Sequence, residues 1–131
     1  MLNIQGIHHI SVACLDIERS KNFYGDILGL KEITRPAFDF AGAWYELGMG
    51  QQLHLIVVGQ SDYIRANKDI PTRDNHIALS TIGKYDEIIA YLKENSVPFY
   101  ENTKTKSGFV QVFCLDPDQH IIELNIRETI I

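Results

Sequence analysis

The sequence lacks what a membrane, a nucleic acid or an oxidising compartment would ask of it. No apolar stretch approaches the ~18 residues of a spanning helix, and the N-terminus has no basic region followed by an apolar run. A cytoplasmic protein with no membrane partner is expected. Lysine and arginine never cluster, and the formal net charge is −5, so a phosphate backbone would find no basic patch and nucleic acid is excluded. Cysteine occurs twice, at Cys14 and Cys114, each inside an apolar alternating segment and without an adjacent histidine. Two reduced, buried thiols fit that setting better than a disulfide or a nucleophile.

The rest of the composition is that of a folded globular chain: 45% hydrophobic and 22% charged residues exclude disordered and fibrous classes. At 131 residues it is one domain, or two half-size modules sharing a core, since halves of about 60 residues are marginal alone. Dimerisation would relieve that shortage of core.

One short pattern occurs twice. His8-His9-Ile10-Ser11-Val12-Ala13 in the first half matches Asn75-His76-Ile77-Ala78-Leu79-Ser80 in the second. Leu53-His54-Leu55-Ile56 follows the first copy, and Ile122-Glu123-Leu124-Asn125 follows the second at nearly the same separation. Four metal-ligand side chains, His9, His54, His76 and Glu123, therefore occupy equivalent places in two repeats. Packing alone does not call for three imidazoles and a carboxylate in such positions, whereas a divalent metal does.

Each half reads as β-α-β-β-β. In the first, residues 7 to 14 alternate as a strand. Asp16 offers an N-cap to a helix with Ile17, Ser20, Phe23, Tyr24, Ile27 and Leu28 at helical spacing, ending at Gly29. Strand-like stretches follow at 30 to 35, 43 to 48 and 52 to 58, with Gly48-Met49-Gly50-Gln51 as a hairpin turn. In the second half, strand 75 to 81 precedes a helix carrying the stripe Tyr85, Ile88, Ile89 and Leu92, ended by Pro98. Strands at 98 to 102, 108 to 114 and 120 to 126 complete it, with Asp116-Pro117-Asp118 turning into the last. The expected organisation is a single domain over 1–131: module 1 at about 4–58, a polar linker at 59–74 and module 2 at about 75–127.

Strand alternation sorts the candidates by face. His9 lies with Ser11 and Ala13, His76 with Ala78 and Ser80, His54 with Gln52 and Ile56, and Glu123 with Ile121 and Asn125. In each strand the opposite face is aliphatic and suits packing under a helix. A hydrogen-bonded sheet histidine is the plain alternative for His9 or His76 taken singly, and an exposed cross-strand histidine for His54. Glu123 sits among Ile121, Ile122, Leu124 and Ile126, where an unpaired carboxylate is costly to desolvate. His8 falls on the helix-packing face and aligns with Asn75, and His120 follows a turn as a solvated residue.

Beyond these spacings, Phe23-Tyr24-Gly25-Asp26-Ile27-Leu28-Gly29-Leu30 and Leu115-Asp116-Pro117-Asp118-Gln119-His120-Ile121-Ile122-Glu123-Leu124 resemble two signatures of the vicinal-oxygen-chelate superfamily. This is the superfamily of glyoxalase I, bleomycin-resistance and dioxygenase-like proteins. The resemblance spans nearly the whole chain. It implies an α+β fold of two βαβββ modules whose paired sheets form a metal-containing cleft. It also implies one divalent ion per site (Ni, Zn, Fe, Co or Mn), and a homodimer in which His9 and His54 of one chain meet His76 and Glu123 of the other. Gln119 stands where the signature favours glycine, so either the turn there differs or Gln119 takes an unfavourable positive φ.

A dication held by three neutral imidazoles and one carboxylate stays positive and can stabilise an enediolate or oxyanion. A glyoxalase-like lyase or isomerase acting on a small oxygen-rich substrate is thus expected, with Glu123 as both ligand and base and with Tyr45 or Glu46 as weaker bases. Ala13 replaces the arginine of glutathione-binding relatives, which speaks against glutathione. An extradiol dioxygenase using His9, His76 and Glu123 is one alternative. A fosfomycin- or bleomycin-type resistance protein is another: Ser11 and Ser107 match, Phe113 replaces a tyrosine, and Lys104, Lys106 and Arg127 lie nearby. Trp44, Phe38, Phe40, Phe109 and Phe113 are candidates to line an apolar pocket.

Overall fold

The computed structural model describes residues 1–60, 64–103 and 105–127, and the chain divides into two units, Met1–Ile64 and Arg65–Ile131. The first unit holds β1 (His9–Cys14), α1 (Ile17–Lys21), β2 (Lys31–Ile33), β3 (Gly42–Gly48) and β4 (Gln51–Val57). Its sheet runs β1-β4-β3-β2, with β1 parallel to β4 and the other neighbours antiparallel. Asp16 caps α1 by accepting a bond from the Arg19 amide at 3.0 Å. The helix then widens into a π-helical segment, Asn22–Ile27, marked by the Leu28 amide donating to the Phe23 carbonyl at 2.8 Å. Adjacent Phe23 and Tyr24 are both buried there, against the sheet face that carries Val12, Cys14, Ala43, Tyr45, Leu53 and Leu55. Met49 and Gly50 both take positive φ between β3 and β4, as a two-residue type I′ hairpin requires.

The second unit repeats the plan with β5 (His76–Ile82), α2 (Tyr85–Glu94), β6 (Phe99–Asn102), β7 (Val110–Leu115) and β8 (Ile121–Arg127), in the sheet order β5-β8-β7-β6. Again the first and last strands pair in parallel. Ile89 and Leu92 of α2 are buried, as their spacing predicts. The turn into β8 is organised by the buried Asp116 carboxylate, which accepts from the Asp118 amide at 2.8 Å and the His120 amide at 2.9 Å. Gln119 closes that turn at φ 66°, the strained one of the two alternatives its place in the signature left open.

Several expectations need correction. The first helix is α-helical only over Ile17–Lys21, because the π-helical turns take over where Gly25 passes the Tyr45 ring. The second strand keeps three residues; beyond it the Arg35 guanidinium donates to the Phe40 carbonyl at 3.1 Å and folds the chain into a loop. The polar stretch before β5 is more than a linker from residue 64 onward. Arg65 bonds Asp74 at 3.1 Å, the Gln119 carbonyl at 3.2 Å and the Asp69 carbonyl at 2.8 Å, and Ile70 packs on Phe113, Leu115 and Ile121. His8 precedes β1 and is exposed instead of lying under the helix, and His120 is half-buried instead of solvated. Tyr45 is buried on the helix side, where burial, helped by Glu32, pushes its hydroxyl up to about 12. That removes it as a base.

Two substitutions test the backbone. A side chain at Gly42 would overlap the Leu55 carbonyl oxygen on the adjacent strand, so Gly42→Ala is expected to destabilise by about 1–3 kcal/mol in urea unfolding. Gln119→Gly relieves the left-handed strain and should raise stability by about 0.5–1 kcal/mol in the same assay.

Candidate metal centre

In the first unit the parallel register sets Ser11 opposite His54 and His9 opposite Gln52, so His9 and His54 share one face two residues apart. Their rings stack with centroids 4.2 Å apart. Trp44, paired with His54 across β3 and β4, stacks on its other side at 3.9 Å and 4°. This sandwich leaves His54 only 6% exposed, and the exposed cross-strand reading of His54 falls. Its Nε2 donates to the Gln52 amide oxygen at 2.8 Å, which leaves Nδ1 with the lone pair. Burial first, and then His9, His8 and Arg35, hold its pKa below the ordinary value, so the neutral form needed for ligation is favoured. His8 brings its Nδ1 within 2.8 Å of the His9 Nδ1, a partner that strand alternation could not reveal because His8 lies outside β1.

In the second unit Ala78 stands opposite Glu123, and His76 again lies two residues earlier on the same face. Glu123 is 4% exposed. Gln111 donates to its Oε1 at 3.3 Å and Asn125 to its Oε2 at 3.0 Å, two supports that neither the repeat nor the signature singled out. His76 Nε2 faces Oε1 at 3.4 Å. The other ring nitrogen, Nδ1, donates to the Asp74 carbonyl at 2.7 Å, since a carbonyl oxygen only accepts. Nε2 of a neutral ring then presents a lone pair to a carboxylate, an arrangement that requires a proton or a cation between them. The donor chemistry thus fits a divalent ion. Phe113 meets the His76 ring edge-on at 5.3 Å.

The four candidates form two pairs, one in each unit. Among the described residues no group of three or more His, Cys, Asp or Glu is placed to hold a metal ion. Of the aromatic candidates, Phe38 and Phe40 stack at 5.0 Å and stay exposed with Phe109, while Phe113 belongs to the core. Ser107 is engaged locally with Thr105 at 2.9 Å, and Lys104 lies outside the described residues. Cys14 and Cys114 are buried and form no disulfide. No described helix is long and apolar enough to cross a membrane.

The sequence model of the Glyoxalase/Bleomycin resistance protein/Dioxygenase superfamily matches residues 6–124. The chain belongs to that superfamily. Glyoxylase I 4 of Arabidopsis thaliana is 30% identical over 94% of this chain and 71% of its own length. Metallothiol transferase FosB of Staphylococcus saprophyticus is 29% identical over 93% and 77%. Among solved structures, a glyoxalase/dioxygenase from Nostoc punctiforme aligns with a TM-score of 0.75 at 26% identity, covering 95% of this chain and 92% of that one. The two βαβββ units are the superfamily's α+β fold.

The depressed His54 pKa carries a sign. An unfolded chain binds a proton at His54 near its ordinary pKa of 6.5, while the folded chain does so only at lower pH. Folding stability therefore falls as pH drops below about 6.5 and through the folded value. Chelator-treated wild type should lose more unfolding free energy between pH 7 and 5.5 than His54→Asn does, read from urea midpoints at each pH.

Proposed function

We propose that this superfamily member is a metal-dependent enzyme of the glyoxalase type, with lyase or isomerase chemistry on a small oxygen-rich substrate. Its ligands are His9, His54, His76 and Glu123. The observation that carries the reading is the contact between His76 Nε2 and the buried Glu123 carboxylate, two metal-ligand groups side by side at 3.4 Å. A divalent metal is typical of the superfamily, and it supplies polarisation of substrate oxygens when bound. Among the described residues neither unit groups three such side chains so as to hold a metal ion. We therefore propose a homodimer in which His9 and His54 of one chain complete the site begun by His76 and Glu123 of the other. Reduced, buried Cys14 and Cys114 agree with a cytoplasmic setting.

The chain's own residues define the rest of the chemistry. Asp74 holds His76 in one tautomer through the Nδ1 bond, and the Trp44 and His9 rings hold the plane of His54. Gln111 and Asn125 orient the Glu123 carboxylate, whose oxygens are the atoms that accept a substrate proton and return it. Glu46 is exposed on the same sheet face as His54 and is the second base candidate.

Elemental analysis of protein purified without added metal or chelator tests the reading. About one ion per chain is expected, with His76→Ala and Glu123→Gln falling below about a tenth of that. Glu123→Gln should also lose ~10²-fold or more in kcat/KM once a substrate is found. Full metal content in His54→Ala together with iron would move the protein to the dioxygenase alternative. A wild type that takes up none of Ni, Zn, Fe, Co or Mn on reconstitution would overturn the enzyme reading and leave a binder of the bleomycin-resistance kind.

A further inference from the structure

The ligand face of the second unit ends differently on its two sides. At the start of β8, Ile70 covers Phe113, Leu115 and Ile121 and closes the surface with apolar packing. Past Glu123 on the same strand nothing comparable is described, and a cavity of about 670 Å³ opens instead. That volume lies within the ~300–1,000 Å³ range of small-molecule sites.

Its lining is amphiphilic. Ser80 and Asn125 are register partners on β5 and β8 and supply neutral hydrogen-bonding groups. Ile82 and Phe109 line the same cavity while 65% and 54% exposed, so apolar surface stands uncovered there. Among the described residues lining the cavity, Arg127 is the one that is charged, in a chain whose net charge is −5. Glu123, Asn125 and Arg127 alternate along β8 on one face. Asn125 joins the cavity to the candidate metal centre, because its Nδ2 donates to the Glu123 carboxylate and its side-chain oxygen remains an acceptor.

We infer that this cavity is the specificity pocket of the site and takes an organic carboxylate with an apolar body, the carboxylate on Arg127 and the carbon skeleton against Phe109 and Ile82. A guanidinium pairs with a planar carboxylate through two parallel N–H bonds, and the uncovered phenyl ring suits an aryl or branched alkyl group. The inference deepens the proposed function by naming a substrate class. It depends on that reading only for taking Glu123 as the reacting end of the site.

The test is calorimetric titration of the full chain with phenylglyoxylate and with its neutral primary amide, with metal content measured on the same samples. Wild type should bind the acid about tenfold or more tightly than the amide, as a charge-assisted pair gives. Arg127→Ala should close that gap without lowering metal content, Arg127→Lys should keep part of it, and Phe109→Ala should weaken both compounds alike. Equal binding of acid and amide by wild type, a gap that survives Arg127→Ala, or no binding of either at millimolar concentration overturns the inference. Metal present with an Arg127-independent gap sinks the pocket and spares the enzyme reading. An Arg127-dependent gap in protein that takes up no metal does the reverse.

Discussion

The candidate site depends on the parallel pairing of the first and last strands in each unit. The β2-β3-β4 and β6-β7-β8 meanders need only local turns, but β1 beside β4 and β5 beside β8 require a crossover that carries the chain over a helix and back through two strands. That pairing brings the members of each candidate pair together, and it does so in the same register twice. Ser11 opposes His54 and Ala78 opposes Glu123, and the histidine lies two residues earlier in both. A slip of one residue would turn the ligands under the helix and bring aliphatic side chains to the site. Both helix-side faces bury their aliphatic residues, so the hydrophobic core holds the chemistry in register without touching it.

The two pairs differ in the kind of donor they supply. In the first unit the Trp44–His54–His9 stack removes His54 from water and favours its uncharged form. In the second unit two side-chain amides donate to the buried Glu123 carboxylate. Neutral imidazoles from one pair and a single carboxylate from the other would leave a bound dication with residual positive charge, the condition for stabilising a developing oxyanion. The amides of Gln111 and Asn125 satisfy both Glu123 oxygens with neutral donors, where an arginine or lysine partner would add a cation.

The fold was legible because its signals are periodic and repeated. Period-2 alternation set the face of each candidate ligand, the α2 stripe predicted Ile89 and Leu92 as core, and the odd glutamine in the turn signature marked Gln119 as a place where either the turn or the backbone must give. What the sequence did not disclose depends on single long-range contacts. The π-helical turns coincide with the close approach of Gly25 to the Tyr45 ring, and periodicity does not register a change of hydrogen-bond offset from four residues to five. The ordered segment before β5 follows from Arg65, whose partners reach to Gln119. Tyr45 and Glu46 looked equivalent as bases until the register turned one under the helix and left the other on the ligand face. His8 was misassigned by extending alternation one residue past the end of β1.

The unequal ends of the β8 face separate what the superfamily fixes from what it leaves open. His76 and Glu123 are held by strand register and by the Asp74 carbonyl, features tied to the shared scaffold. One side of them is closed by Ile70, in a segment anchored through Arg65 and the Asp116 turn. The other side is formed by the last residues of β8 and the loop entering β7, where Ile82, Phe109 and Arg127 are exposed. Exposed side chains at that end can change what a ligand would meet while His76 and Glu123 stay in place. On the inferred pocket, substrate preference would follow from Phe109, Asn125 and Arg127 more than from the signatures that identify the superfamily.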